Sequence, residues 1–223
     1  MMKKVVAIVC AIIMCLSLTA CGGNKKAFEA SKVAYENVNA AYISVEQFAD
    51  DIYGAWMAGI YDEDELTENG VKHLASELSI SEADIRAGAV YAYAELIGKE
   101  VSELNETEKK NCSEQAELLF VLLEDNLFTL CVEIVRGAYT ANGKADEIQA
   151  ALEGAKLQMK ELSEKYSDYE YYPSLKGYYT TTKSFFEFCQ NPTGSFEQIK
   201  DTLNDYKNEA RDYSSDLDYI FEE

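Results

Sequence analysis

Apolar and small side chains return every third or fourth position along five stretches of this chain, the spacing of helices with one buried face. The clearest stretch is Phe196, Ile199, Leu203, Tyr206, Ala210, Tyr213, Leu217 and Ile220. At 3.6 residues per turn these positions draw one seam along about seven turns. Tyr35, Val38, Tyr42, Val45, Ala49, Ile52 and Trp56 make an equivalent seam near the start. Three more lie between: Ala83-Ala87-Val90-Ala94-Ile97-Val101-Leu104, Phe120-Leu123-Leu127-Leu130-Ile134 and Ile148-Leu152-Ala155-Met159-Leu162-Tyr166. Neighbours such as Phe48, Leu119, Val135 and Phe221 broaden these stripes, which suits a globular bundle better than an isolated two-stranded coil. No stretch shows the sustained alternation of a strand.

The predicted boundaries carry their own chemistry. Ser81 and Asp84 have the spacing of a capping box, with Ile80 placed to staple onto Ile85. Asn105 and Glu108 repeat it, so a helix is expected to end, restart or kink near Leu104. Asn142-Gly143 predicts the end of the third long helix, with Gly143 left-handed. Pro173 predicts a break or kink in the fourth, and "QNPTGS" (190–195) a turn after which Ser195 and Gln198 cap the last helix. A shorter helix is expected over 64–78, around Val71, Leu74 and Leu78. The expectation is an all-α protein, an elongated antiparallel bundle of about six or seven helices with four or five long ones. It forms a single helical-bundle domain over 27–223.

The start of the chain follows another pattern. "MMKK" precedes an apolar run from Val5 to Ala20, the layout of a secretory signal. The run is shorter than the about 20 residues a helix needs to span a bilayer. It closes on Leu18-Thr19-Ala20-Cys21, which resembles the lipobox of bacterial lipoproteins. That resemblance covers residues 1–21 alone. It implies cleavage between Ala20 and Cys21, removal of residues 1–20, and a diacylglyceryl group on the Cys21 thiol. Two acyl chains hold a protein stably where one does not, since each buried CH₂ contributes about 0.8 kcal/mol. Residues 21–26, the lipidated cysteine followed by Gly22-Gly23-Asn24-Lys25-Lys26, read as a flexible tether. The expected location is extracytoplasmic, lipid-anchored to a bacterial membrane.

Charge narrows the partners. The chain carries 20 basic and 40 acidic side chains, a net charge of −20, and loss of Lys3 and Lys4 with the signal makes it more acidic. No nucleic acid is expected as partner, because phosphates need a basic face. Anionic lipid head groups would repel the domain, leaving the lipid on Cys21 as its membrane contact. With 2 prolines, sparse glycine and 48% hydrophobic residues, the composition favours long helices over disorder.

Of the 6 cysteines, Cys10 and Cys15 fall in the signal and Cys21 is the lipid site, leaving Cys112, Cys131 and Cys189. If Cys112 and Cys131 share one helix they stand roughly 28 Å apart, beyond bridging distance. Any disulfide would then involve Cys189, and three reduced, mostly buried thiols are expected.

Candidate chemistry is thin. His73, the single histidine, sits in "VKHLASEL" without a catalytic signature around it and is expected at the surface or boundary of a short helix. One histidine and three scattered thiols lack zinc-ligand spacing. "YDEDELTEN" (61–69) gathers Asp62, Glu63, Asp64, Glu65 and Glu68, but Leu66 occupies a ligand place of a calcium loop, so a solvated acidic turn is expected. No metal, cofactor or catalytic group is expected. The most unusual stretch is "YSDYEYYPSLKGYY" (166–179), with Tyr166, Tyr169, Tyr171, Tyr172, Tyr178 and Tyr179. Tyrosine rings suit sugar stacking or a protein interface, and equally the packing of helix ends.

Two functional expectations follow. The first is a lipid-anchored cell-envelope protein without catalytic activity, a protein-interaction or scaffold module. The second is a lipoprotein that captures a glycan, peptide or wall fragment at segment 166–179.

Overall fold

A computed structural model describes residues 23–221. The expected signal segment 1–20, including Ala20, and the expected lipid site Cys21 lie outside them. The described chain is all-helical, with nine α-helices, two 3-10 turns and no strand among the described residues. The helices are α1 (Gly23–Tyr61), α2 (Glu63–Glu77), α3 (Glu82–Leu96), α4 (Glu106–Glu114), α5 (Ala116–Leu122), α6 (Leu127–Ala141), α7 (Lys144–Lys165), α8 (Tyr172–Gln190) and α9 (Phe196–Phe221).

Helix α1 is the spine, rising about 57 Å from end to end. Every residue of its expected seam is buried, from Tyr35 to Trp56. Burial of each large apolar side chain contributes about 1.5–3 kcal/mol, so this one face accounts for much of the hydrophobic driving force. The helix begins at Gly23, so it takes in Lys25 and Lys26, which the sequence assigned to a flexible tether. Lysine and alanine are good helix formers, and Ala27 is already buried.

Ring and polar contacts fix the directions. Along α1 and α9 the pairs Tyr35–Asp218, Glu46–Arg211 (3.3 Å) and Tyr53–Phe196 (6.0 Å between rings) run in opposite order, so the two helices are antiparallel. Helix α6 is antiparallel to α1 as well, through Phe48–Tyr139 at 4.1 Å and Trp56–Phe128 at 6.0 Å. Helix α8 runs with α1, the Tyr178 hydroxyl donating to Asn39 at 2.8 Å and Phe186 lying 6.4 Å from Phe48. One core of buried side chains joins these helices from Ala34 to Phe221.

The helix count exceeds the six or seven expected, because two predicted helices are broken. Helix α3 stops at Leu96, followed by Gly98 in the left-handed region (φ 68°) and a 3-10 turn at Val101–Glu103. Val101 and Leu104 therefore leave the helix, yet fold back so that Leu104 still packs with Val90 and Ala94 of the predicted seam, with Val101 against them. The stretch from Asn105 to Asn142 is three helices, interrupted at Gln115 (φ −104°, ψ 22°) and again at Leu123 (φ −118°, ψ 29°) before a turn at Glu124–Asn126. Pro173 also differs from its expected part. Helix α7 ends at Lys165, well before it, and Pro173 sits in the first turn of α8, where its missing N–H costs nothing.

The local signals at the other ends match. The Asp84 N–H donates to Ser81 Oγ at 3.2 Å, with Ile80 and Ile85 both buried beside it. Asn105 and Glu108 close a reciprocal box with bonds of 2.8 and 2.9 Å. Gly143 has φ 81°, and the Ser195 N–H donates to Gln198 Oε1 at 2.8 Å.

Helix α3 packs on α6 at backbone contact. An added Cβ on Gly88 would lie 2.0 Å from the Ile134 carbonyl oxygen, and one on Gly137 would lie 2.7 Å from the Gly88 oxygen. This close crossing buries Ile85, Ala89 and Ala92 in the main core. The opposite side of α3 buries Val90 and Ala94 against Leu104. The predicted seam thus holds from Val90 and Ala94 to Leu104 but not at exposed Ala83 and Ile97, and the face that meets the main core is a second one.

Candidate functional site

Short helix α5, with the sequence AELLFVL, is apolar but for Glu117, which accepts the Val71 N–H at 3.1 Å and pairs with Arg86. Ala116, Leu119 and Phe120 face inward, and the Phe120 ring lies against Gly70 of α2, 2.5 Å from where a Cβ would stand. Leu118, Val121 and Leu122 form the outer face at i, i+3, i+4 spacing and are 51%, 48% and 74% exposed. A helix so largely apolar is ordinarily buried. Here the outer half has no partner within the described chain. Phe128, in the first turn of α6, and Ile60 and Tyr61, closing α1, are also exposed at this end of the bundle. The close approach of Gly59 to the Phe128 backbone brings those two helix ends together.

Acidic side chains surround this end. Glu114, Glu124 and Asp125 are exposed on either side of α5. The expected acidic turn opens α2, with Asp62 preceding the helix and Glu63, Asp64 and Glu65 in its first turn, where they complement the helix dipole. Leu66 is fully buried under them.

The six tyrosines of segment 166–179 divide between roles. Tyr178 is wholly buried, its ring near Tyr42 (5.6 Å) and Tyr35 (6.3 Å) and its hydroxyl on Asn39. Burial, with Tyr35, Tyr42 and two carboxylates nearby, pushes its phenol well above the usual range. Tyr166, Tyr171, Tyr172 and Tyr179 pack half-buried on the core. Tyr171 meets Phe221 edge-on at 6.0 Å, and Tyr169 meets Tyr171 edge-on at 5.3 Å. None of the six lines either cleft described below.

His73 lies at a boundary, with Nε2 2.9 Å from Asp62 Oδ2, so it ties the first turn of α2 to the second half of that helix. Cys112, Cys131 and Cys189 form no disulfide, Cys131 and Cys189 being buried and Cys112 half-buried with its thiol donating to the Ala89 carbonyl at 3.5 Å. Cys112 and Cys131 stand on α4 and α6, not on one helix, which corrects the geometry assumed for them. Burial pushes the Cys131 and Cys189 thiols well up, away from thiolate reactivity.

Two clefts open on the surface. The first, of about 610 Å³, lies between the C-terminal turn of α3, the 3-10 turn and α6. Glu133 and Arg136 stand on its wall, Arg136 Nη1 reaching both Glu133 oxygens at 2.5 and 2.6 Å. Burial, and next to it the nearby Glu95, hold the Glu133 carboxyl above its usual range despite Arg136. The second cleft, of about 490 Å³, separates α1 from the start of α7 and carries Glu46, Asp50, Lys144 and Glu147. Glu46 and Asp50 are already paired, with Arg211 and Lys207.

Nothing in the sequence pointed to α5 or to the first cleft. The apolar run Leu118–Leu122, directly after Glu117, is the signal that could have marked α5. Among the described residues no helix is long and apolar enough to cross a membrane, and no group of three or more His, Cys, Asp or Glu could hold a metal ion. No protein-family model, curated protein or solved structure matches this chain.

Proposed function

We propose that this protein is a lipid-anchored, non-catalytic interaction module of a bacterial cell envelope. In this reading the lipid on Cys21 fixes the N-terminus at the membrane, and an elongated antiparallel rod holds its far end away from it. The single observation that carries the reading is the unpartnered outer face of α5, with Leu118, Val121 and Leu122 exposed inside an acidic surround. The Tyr61 end of α1, where α2 turns back to meet α5, lies about 57 Å along that helix from Gly23.

The partner it fits is a protein segment with an apolar stripe flanked by lysine or arginine. An i, i+3, i+4 stripe is the geometry by which helices seat in one another's grooves, and opposite charge speeds encounter and fixes orientation. A second copy of this chain is a poor occupant, since it would bring the same carboxylates to the contact.

The test is fluorescence anisotropy with a labelled, synthetic, basic amphipathic helical peptide and an acidic peptide of the same apolar pattern. The protein is expected to bind the basic peptide, and the double variant Leu118→Ser, Leu122→Ser to bind it about tenfold or more weakly with its fold intact. Equal affinity for both peptides, or an unaffected double variant, overturns the reading. Anchoring is tested separately, as Cys21→Ala is expected to move the protein from the membrane fraction to the soluble one.

A further inference from the structure

Helix α1 begins at Gly23, two positions after Cys21, a stretch of chain that reaches about 7 Å at most. A bilayer that holds a lipid on Cys21 therefore meets the end of the bundle at which α1 starts. Ring contacts show what else stands at that end. Phe28, about 7.5 Å along α1 from Gly23, lies 5.4 Å from Phe221 in the last turn of α9. Tyr171, in the turn between α7 and α8, meets Phe221, and Tyr169 meets Tyr171. Tyr219, two positions before Phe221, is 76% exposed, more than any other large apolar side chain among the described residues.

The rings nearest the expected lipid are thus part-exposed phenols. A phenol has an apolar body and a hydroxyl that needs water, which suits it to the depth of lipid head groups. Head groups form a layer about 5–8 Å thick on each side of the hydrocarbon core. Acyl chains on Cys21 draw the start of α1 into that layer, and the rings then stand at its outer level. Charge selects the head group. Lys25 is exposed in the first turn of α1, but Glu29 follows it, and Asp168 and Glu170 flank Tyr169, all exposed. Carboxylates so placed repel an anionic head group and can pair with the ammonium of a zwitterionic one.

We propose that this end of the bundle, with Tyr169, Tyr171 and Tyr219 foremost, lies on a zwitterionic phospholipid surface. The inference rests on the lipid at Cys21 and is independent of what docks on α5.

The experiment uses the full lipidated protein in vesicles of phosphatidylethanolamine and phosphatidylcholine, with a nitroxide on some of the phosphatidylcholine head groups. Trp56, the single tryptophan, is replaced by phenylalanine, and the reporter is introduced as Tyr219→Trp or, on α5, as Leu122→Trp. Flotation with the vesicles comes first, and protein that does not float overturns both this inference and the anchored reading. In floated protein, Tyr219→Trp is expected to lose most of its emission to the nitroxide and Leu122→Trp to keep it. Equal emission from the two overturns this inference alone. Adding Tyr169→Ser, which removes a ring but leaves Tyr171 on Phe221, is expected to restore part of the Tyr219→Trp emission. An unchanged loss would show that the lipid alone holds position 219 near the surface, and overturns the role given to the rings. Phosphatidylglycerol in place of the unlabelled phosphatidylcholine is expected to restore emission too, and deeper quenching there overturns the choice of a zwitterionic surface.

Discussion

The Tyr139 hydroxyl donates to Asp51 Oδ2 at 2.7 Å in the middle of the bundle, joining α6 to the spine α1. Asp51 is 2% exposed and also accepts from the Ser79 backbone N–H at 3.1 Å and from Gln47 at 3.3 Å. A buried carboxylate with three donors locks three segments into one register. Tyr139→Phe is expected to cost about 1.5–3 kcal/mol, the range for a hydrogen bond to a charged group. Asp51→Ala is expected to cost more, because it strands both the phenol and the Ser79 N–H. Urea unfolding of the two variants checks the order, and an Asp51→Ala variant as stable as wild type would remove this role.

Gly88 and Gly137 let α3 and α6 touch at backbone level. Gly88→Ala is expected to destabilise by about 1–3 kcal/mol or more, as overpacking does, since its Cβ would meet a carbonyl oxygen that cannot move aside. Gly154 is the matched control, a helical glycine with open space around it. Gly154→Ala is expected to stabilise, by up to about 1 kcal/mol. Thermal unfolding of both variants reads the opposite signs directly.

Much of this architecture was readable from spacing alone, and the reasons differ by element. The seams of α1, α7 and α9 were legible because each helix turns one face to one core. Helix α3 was not, because its alanines and glycine pack on both sides and give no single stripe. The breaks at Gln115 and Leu123 carry neither glycine nor proline, so tertiary packing alone imposes them. Pro173 was misread because a proline serves a first helical turn as readily as it ends a helix. The Glu133–Arg136 pair on the wall of the first cleft was invisible among 40 acidic residues, since spacing does not say which of them face a recess.

Glu133 gives a pH signature. Its folded carboxyl titrates above the ordinary 4.5, so the folded protein binds the more protons just above that pH. Stability from this group is therefore present below pH 4.5 and is lost as pH rises through the folded value. Glu133→Gln removes the slope. The difference in Tm between Glu133→Gln and wild type is expected to shift in favour of the variant as pH rises from 4.5 toward neutrality. A constant difference across that window would show that Glu133 titrates normally.

The buried phenols act at the other end of the scale. Tyr42, Tyr139 and Tyr178 are all held above their usual value of 10.0, first by burial and then by nearby carboxylates or phenols. The unfolded chain loses those protons first, so stability is expected to fall as pH rises past 10. Ultraviolet titration is expected to show these rings ionising only together with the loss of helicity. Full ionisation of all 16 tyrosines in a still-helical protein would contradict their placement.

The most direct measurement of the central claim is photo-crosslinking on intact cells, with a photoreactive residue at position 122 in one strain and at position 157 in another. Leu157 is exposed to a similar degree, but on α7, away from the outer face of α5. The account predicts a discrete product from position 122 that contains a protein with a basic, apolar contact segment, none from position 157, and loss of the product in Leu118→Ser. No product from position 122, or the same products from both positions, would contradict it.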